Sequence, residues 1–173
     1  MKLILETERL YLREFTLKDA SLFMALNSNP NVTRYTGDGP IENLQMSEHI
    51  LTTVTFPQYE KKLGRWATFL KAGHEFIGWC GLKYIAEMDE TDLGYRFFEQ
   101  HWGKGYATES AKAVLDYGFN TLGLSEIVAR VAVENVNSQK VLKKTGMQFE
   151  KEGFEHGSKI LKYCLGRDQF RAL

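Results

Sequence analysis

Apolar residues recur along this chain with two periods, and the switches between them mark out the elements. Leu10-Tyr11-Leu12-Arg13 alternates and predicts a first strand. Leu22, Phe23 and Leu26 keep helical spacing, which predicts a helix over 17–26 with Thr16 as its N-cap. Residues 27–40 are rich in Asn, Gly and Pro and predict a loop with at most one helical turn. Residues 46–63 predict a second helix, although their threonines are poor helix formers. After Gly64 the period drops to two. Residues 66–70 and 76–84 predict paired strands joined at Ala72-Gly73, and residues 92–98 predict another beyond the polar turn Glu87-Met88-Asp89-Glu90. Ala107, Ala111, Val114, Leu115, Phe119 and Leu122 form one stripe, predicting a long helix that Gly123 stops. Residues 127–133 are almost continuously apolar, as a strand buried on both faces requires. A short helix over 137–145, stopped by Gly146, and strands at 147–150 and 159–165 complete the series. The expected class is mixed α/β (α+β) around one sheet, in a single domain spanning 1–173.

Composition narrows the function. The 22 basic and 22 acidic residues cancel, so no broad basic field points to nucleic acid or to an anionic membrane. No apolar run approaches the ~20 residues of a membrane span. Cys80 and Cys164 each sit in an apolar run and read as small buried hydrophobes in a reducing compartment. The four histidines show no metal spacing, so no metal is expected. Charged residues alternate with apolar ones from Glu6 onward, unlike a signal peptide, and a cytoplasmic protein is expected.

Chemistry concentrates in Trp102-Gly103-Lys104-Gly105-Tyr106-Ala107-Thr108-Glu109, a glycine turn that opens the long helix. Such a turn leaves backbone N–H groups without intrahelical partners, at the positive end of the helix dipole. It is an anion site, and a phosphate is the natural ligand. A Walker loop requires a longer glycine spacing and a Lys-Ser/Thr pair, which Gly103-Lys104-Gly105 lacks. A dinucleotide fingerprint requires a third glycine where Thr108 stands and an acid ending the next strand, for which Glu134 is the candidate. What remains is a loop that wraps a pyrophosphate with backbone amides, helped by the Lys104 charge and the Thr108 hydroxyl.

In this order, the glycine run, the buried strand, Glu134-Asn135-Val136-Asn137-Ser138 and Gly146 resemble the GNAT acyltransferase superfamily. Thr7-Glu8-Arg9-Leu10-Tyr11-Leu12-Arg13, Leu93-Gly94-Tyr95 and the tryptophan at 102 are similar to its RimJ/RimL branch, which acetylates protein N-termini and small amines. The resemblance implies a six- to seven-stranded, mostly antiparallel mixed sheet with a splayed parallel pair, flanked by about four helices. It implies acetyl-CoA between the strands ending at Phe97 and Val133. The pantetheine arm would pair with backbone near Tyr95, Arg96 and Phe97. The pyrophosphate would lie on Gly103, Lys104, Gly105, Tyr106, Ala107 and Thr108 beside Trp102, and Asn135 would hold the cofactor arm. The superfamily's usual tyrosine acid falls at Leu142, and the branch instead implies Ser138 as proton donor to CoA.

Direct attack in a ternary complex requires a neutral amine. An α-amine with a pKa near ~7.7–8.0 is partly neutral already, so modest help from a carboxylate suffices. Asp92, on the strand leading to Tyr95, and Glu155, expected in the loop before the last strand, are the candidate bases; both also read as solvated surface. Glu109 reads as a loop-shaping residue in the first helical turn. The acidic cluster Glu87, Asp89, Glu90 and Asp92 reads as a solvated hairpin, or as a lure for a cationic amine. Arg34 and Tyr35 fall in the loop that walls the acceptor site in this family. The acceptor is a protein N-terminus or a small amine, and the chain a monomer or homodimer. Two other readings stay open: a non-catalytic acyl-CoA-binding module on the same fold, and a dinucleotide-dependent oxidoreductase.

Overall fold

A computed structural model describes residues 2–171. The strands are β1 (Leu3–Glu6), β2 (Leu10–Arg13), β3 (Gly64–Leu70), β4 (Phe76–Ile85), β5 (Glu90–Phe97), β6 (Glu126–Ala132), β7 (Gln148–Glu155) and β8 (Ser158–Gly166). They make one sheet in the order β1-β2-β3-β4-β5-β6-β8-β7. All neighbours are antiparallel except β5 and β6, which run parallel. A parallel neighbour needs a crossover. Here it carries α5 (Tyr106–Asp116), the helix whose apolar stripe the sequence shows.

Seven strands match sequence expectations, with boundaries shifted by a residue or two except that β7 runs on to Glu155. The eighth, β1, is a four-residue edge strand with exposed ends and two half-buried residues, too short to show alternation. Pairing with β2, with Leu5 opposite Leu12, makes it a strand.

The remaining helices are α1 (Ala20–Asn27), α2 (Pro30–Thr33), α3 (Leu44–Ile50), α4 (Phe56–Glu60), α6 (Val136–Lys144) and α7 (Arg167–Arg171). The expected first helix begins as a tight 3-10 turn, Leu17–Asp19. There the Thr16 N–H and hydroxyl donate to Asp19 Oδ2 at 2.8 and 2.9 Å. The expected second helix widens over Leu51–Thr55 into i→i+5 turns. Pro57, in the first turn of α4, has no N–H to continue the regular ladder. The single-turn helices α2 and α7 add to the four expected ones.

Two apolar layers cover the sheet. Ala111, Val114 and Leu115 of α5 and Leu142 of α6 pack against Leu93, Ile127, Ala129 and Val131. On the other face, α1 and the α3–α4 segment cover β3 and β4 through Phe23, Leu26, Leu51, Phe69 and Phe76. Beyond that cover, Asp92, Arg130 and Lys162 replace apolar side chains on β5, β6 and β8.

Acid lability follows from three carboxylates. For Asp19, Glu90 and Glu109, burial alone would raise the pKa, but hydrogen bonds from Arg13 and Thr16, from Lys162 and Arg130, and from Thr7 and Arg9 outweigh it. Their folded-state values lie below the ordinary 3.8 and 4.5. In that range the unfolded chain binds more protons, so stability is lost as the pH is lowered. The melting temperature should be level above about pH 5 and drop steeply below about pH 4. A melting temperature unchanged down to pH 3 would contradict these pairings.

Candidate active site

Strands β5 and β6 share one bridge, Asp92 opposite Val128. On its other side β5 pairs with β4 all the way from Glu90 to Phe97. Above Asp92 the parallel pair therefore opens, and the β5 edge facing β6 offers backbone donors and acceptors with no strand partner. Gly94 stands at the start of this opening. A Cβ there would lie 2.6 Å from Arg65 Cζ, so the glycine is needed for the guanidinium to lie over β5.

At this opening Tyr95 makes contact with α6. Its hydroxyl lies 2.8 Å from Ser138 Oγ and 3.1 Å from the Ser138 carbonyl oxygen. Burial pushes the Tyr95 pKa up, against the partly offsetting hydrogen bond to Ser138, so the phenol keeps its proton and can donate. Ser138 sits in the first turn of α6. Asn135 caps that turn, its side-chain oxygen accepting the Ser138 N–H at 3.1 Å. The Asn135 NH2 group takes no protein acceptor among the described residues.

The glycine turn lies beyond the end of β5. Gly103 and Gly105 have φ of +74° and +85°. A Cβ on Gly103 would meet nothing within 4 Å, so the space beside the turn is open to a ligand. From Gly103 onward, the Glu109 N–H, bonded to Gly105 O at 2.9 Å, is the first to find a backbone acceptor. The amides from Gly103 to Thr108 are left without such acceptors, an arrangement that suits an anion.

A clamp from the N-terminal hairpin fixes this turn. Arg9 Nη1 donates to the Lys104 carbonyl at 3.0 Å, and its guanidinium stacks on Tyr106 at 4.5 Å. Glu109 accepts from the Thr7 hydroxyl at 2.6 Å, the Arg9 N–H at 3.0 Å and Arg9 Nε at 2.7 Å. Glu109 thus shapes the loop, as the sequence suggests. The partners Thr7 and Arg9 carried no signal of that job, being a hundred residues away in the chain.

Several expected site residues have different duties. Both N–H groups of Trp102 are spent inside the protein: the indole on Phe97 O at 2.8 Å, the backbone on Glu99 O at 3.0 Å. Trp102 therefore holds the turn against the strand end. The Phe97 side chain is core. The Arg96 side chain leaves the cofactor side, reaching Asn27 and, at 3.2 Å, Asp38. Asp92 is 8% exposed and is neither solvated nor free. It pairs with Arg65 at 2.6 Å and Arg130 at 3.5 Å. Glu155 is the last residue of β7 rather than a loop residue, and it accepts from Arg130 Nε at 2.9 Å. Arg130 also bonds Glu90, which bonds Lys162. Sequence spacing could not show that one arginine on β6 gathers both candidate bases.

Similar proteins carry the same architecture. A family model described as "Acetyltransferase (GNAT) domain" matches residues 9–148. The uncharacterized N-acetyltransferase YoaA of Bacillus subtilis (strain 168) is 38% identical over 151 residues, 87% of this chain and 84% of that protein. A crystal structure of an acetyltransferase from Agrobacterium tumefaciens str. C58 matches with a TM-score of 0.81 and 26% identity, covering 95% of this chain and 94% of that one. A spermidine N-acetyltransferase from Vibrio cholerae, solved with CoA and spermine, shares the fold: TM-score 0.81, 21% identity, 95% of this chain and 99% of that one.

Proposed function

The chain belongs to the GNAT family of acetyltransferases, and from that premise we propose that it moves the acetyl group of acetyl-CoA to a primary amine at the opening between β5 and β6. One observation carries the reading: a single-bridge parallel pair, with an open glycine turn at its end and Ser138 beside it. Trp102 and Ser138 favour the RimJ/RimL-like branch, with a protein N-terminus or a small amine as acceptor.

Bound acetyl-CoA supplies the activated acyl thioester. The residues of the chain supply placement and proton transfer. Amides in Gly103-Lys104-Gly105-Tyr106-Ala107-Thr108 hold the pyrophosphate, with the Lys104 charge nearby. Unpaired backbone on β5 near Tyr95 aligns the pantetheine arm, and an N–H there polarises the thioester oxygen. Asn135 offers its NH2 to the same arm. Ser138 Oγ–H donates to the leaving sulfur. Tyr95 positions that serine: its hydroxyl donates to the Ser138 carbonyl at 3.1 Å and lies 2.8 Å from Ser138 Oγ, which holds the serine hydroxyl beside the sulfur. The amine proton passes to Glu155 or to water, and a carboxylate already on Arg130 gives the modest help needed because an α-amine with a pKa near ~7.7–8.0 is partly neutral at neutrality. Asp92 is assigned to positioning, holding Arg65 and Arg130.

The clamp makes its own prediction. Glu109→Gln should raise KM for acetyl-CoA about tenfold with kcat within about twofold, because it loosens the turn without touching the reacting atoms. Steady-state thiol release measures both, and an unchanged KM would contradict the clamp's role.

Thiol release over a panel of peptides, amino acids and polyamines, with the acetylated product identified by mass, tests the function. Turnover with at least one amine is expected. Tight acetyl-CoA binding without turnover on any amine would leave a binding module. Thermal stabilisation by NAD(P) instead of CoA would revive the dinucleotide reading.

A further inference from the structure

Resting on that reading of the site, we infer that the acceptor amine carries a carboxylate. The face of β4–β6 turned away from α5 is rich in unmet donors. Among the described residues, four buried side-chain nitrogens have no hydrogen-bond partner, and two of them here have no ion pair either: Trp79 Nε1 and Arg96 Nε; a third, Arg130 Nη1, has only its 3.5 Å ion pair with Asp92. Trp79 and Arg96 are cross-strand partners, and Arg130 stands on the strand across the opening. Arg65 and Arg96 each lie 5.3 Å from the Trp79 ring. Buried donors without acceptors are rare because each forfeits its bonds to water. Trp79 Nε1 and Arg96 Nε, side by side on one face, point to oxygen acceptors on a ligand.

The carboxylates of this face are already committed. Asp92 and Glu155 pair with Arg130, Glu90 with Arg130 and Lys162, and Asp38 with Arg96. A polyamine would find no free negative partner for its second or third charge. One of these pairs also shows what the donors accept. Asp38 is on a loop, its side chain 62% exposed, and places both carboxylate oxygens 3.2 and 3.4 Å from Arg96 Nη2. A substrate carboxylate takes the place of Asp38 on Arg96 and adds Trp79 Nε1, giving charge-assisted bonds that a decarboxylated amine cannot make. The loop also walls the site. A Cβ on Gly37 would lie 2.7 Å from His156 Cβ, so the loop touches the β7–β8 turn and favours a compact acceptor.

Matched pairs of acceptors test this: amino acids against the amines left when their carboxyl group is removed, with spermidine alongside. The expected result is a kcat/KM at least about tenfold higher for the amino acid, worth ~1.4 kcal/mol. In Trp79→Phe the ratio should shrink at least about threefold, with melting temperature confirming that the variant folds. Equal rates within a pair, or spermidine as the best acceptor, would overturn the inference while leaving the transferase reading intact. If no amine turns over, the transferase reading fails. Calorimetric binding of the same pairs to the CoA-loaded protein then still decides the carboxylate preference: tighter binding of the amino acid supports it, and equal binding refutes it.

Discussion

Gly105→Val is expected to weaken acetyl-CoA binding at least about 100-fold, measured by calorimetry. Gly105 has φ +85° and ψ −1°, a left-handed conformation that β-branched residues hold only under strain. Strain of ~1–3 kcal/mol is relieved when the turn moves. A Cβ would also come within 3.3 Å of Arg9 Nη2, the atom that clamps Glu109. Either shift turns the amides of residues 103–108 away from a shared focus, and at ~1.4 kcal/mol per tenfold the loss of two donors gives the stated factor. The turn is exposed, so the melting temperature should move by only a few degrees. Unchanged affinity would count decisively against assigning the pyrophosphate to this turn.

Ser138→Ala should lower kcat about 100-fold with KM for acetyl-CoA within about threefold, as expected of a group that acts mainly on developing charge at sulfur. Tyr95→Phe should reproduce much of that loss, because it removes the partner 2.8 Å from Ser138 Oγ. The double variant should be little worse than Ser138→Ala alone, since both act through one hydroxyl. The Tyr95 residue must stay protonated to donate, and its raised pKa ensures that through the physiological range. Additive losses would separate the two roles. An unchanged kcat in Ser138→Ala would leave the serine as a helix-start residue beneath the Asn135 cap.

Much of this site is written in local signals. The two glycines predict their own left-handed turn, the apolar stripe after them predicts α5, and the motif Asn135 to Ser138 marks the capped start of α6. Such features depend on neighbours within a turn or two. Long-range pairing was not legible. Asp92, Glu90 and Glu155 read as isolated acids, yet all three meet on Arg130, because parallel β5 and β6 and the β7 end converge there. Trp102 reads as a ligand contact until Phe97 O is seen beneath its indole. The edge strand β1 and the helical turn α7 were too short to carry a pattern.

Where acetyl-CoA binds is the central claim, and hydrogen exchange followed by mass spectrometry, with and without acetyl-CoA, reads it directly. Slower exchange is predicted in segments covering Gly103 to Thr108 and Tyr95 to Phe97, with the start of α6 following. Another concavity, lined by Tyr84, Glu90, Ser125 and Val128, lies at the opposite ends of β5 and β6. Protection confined to that concavity, or none at the glycine turn, would contradict the account.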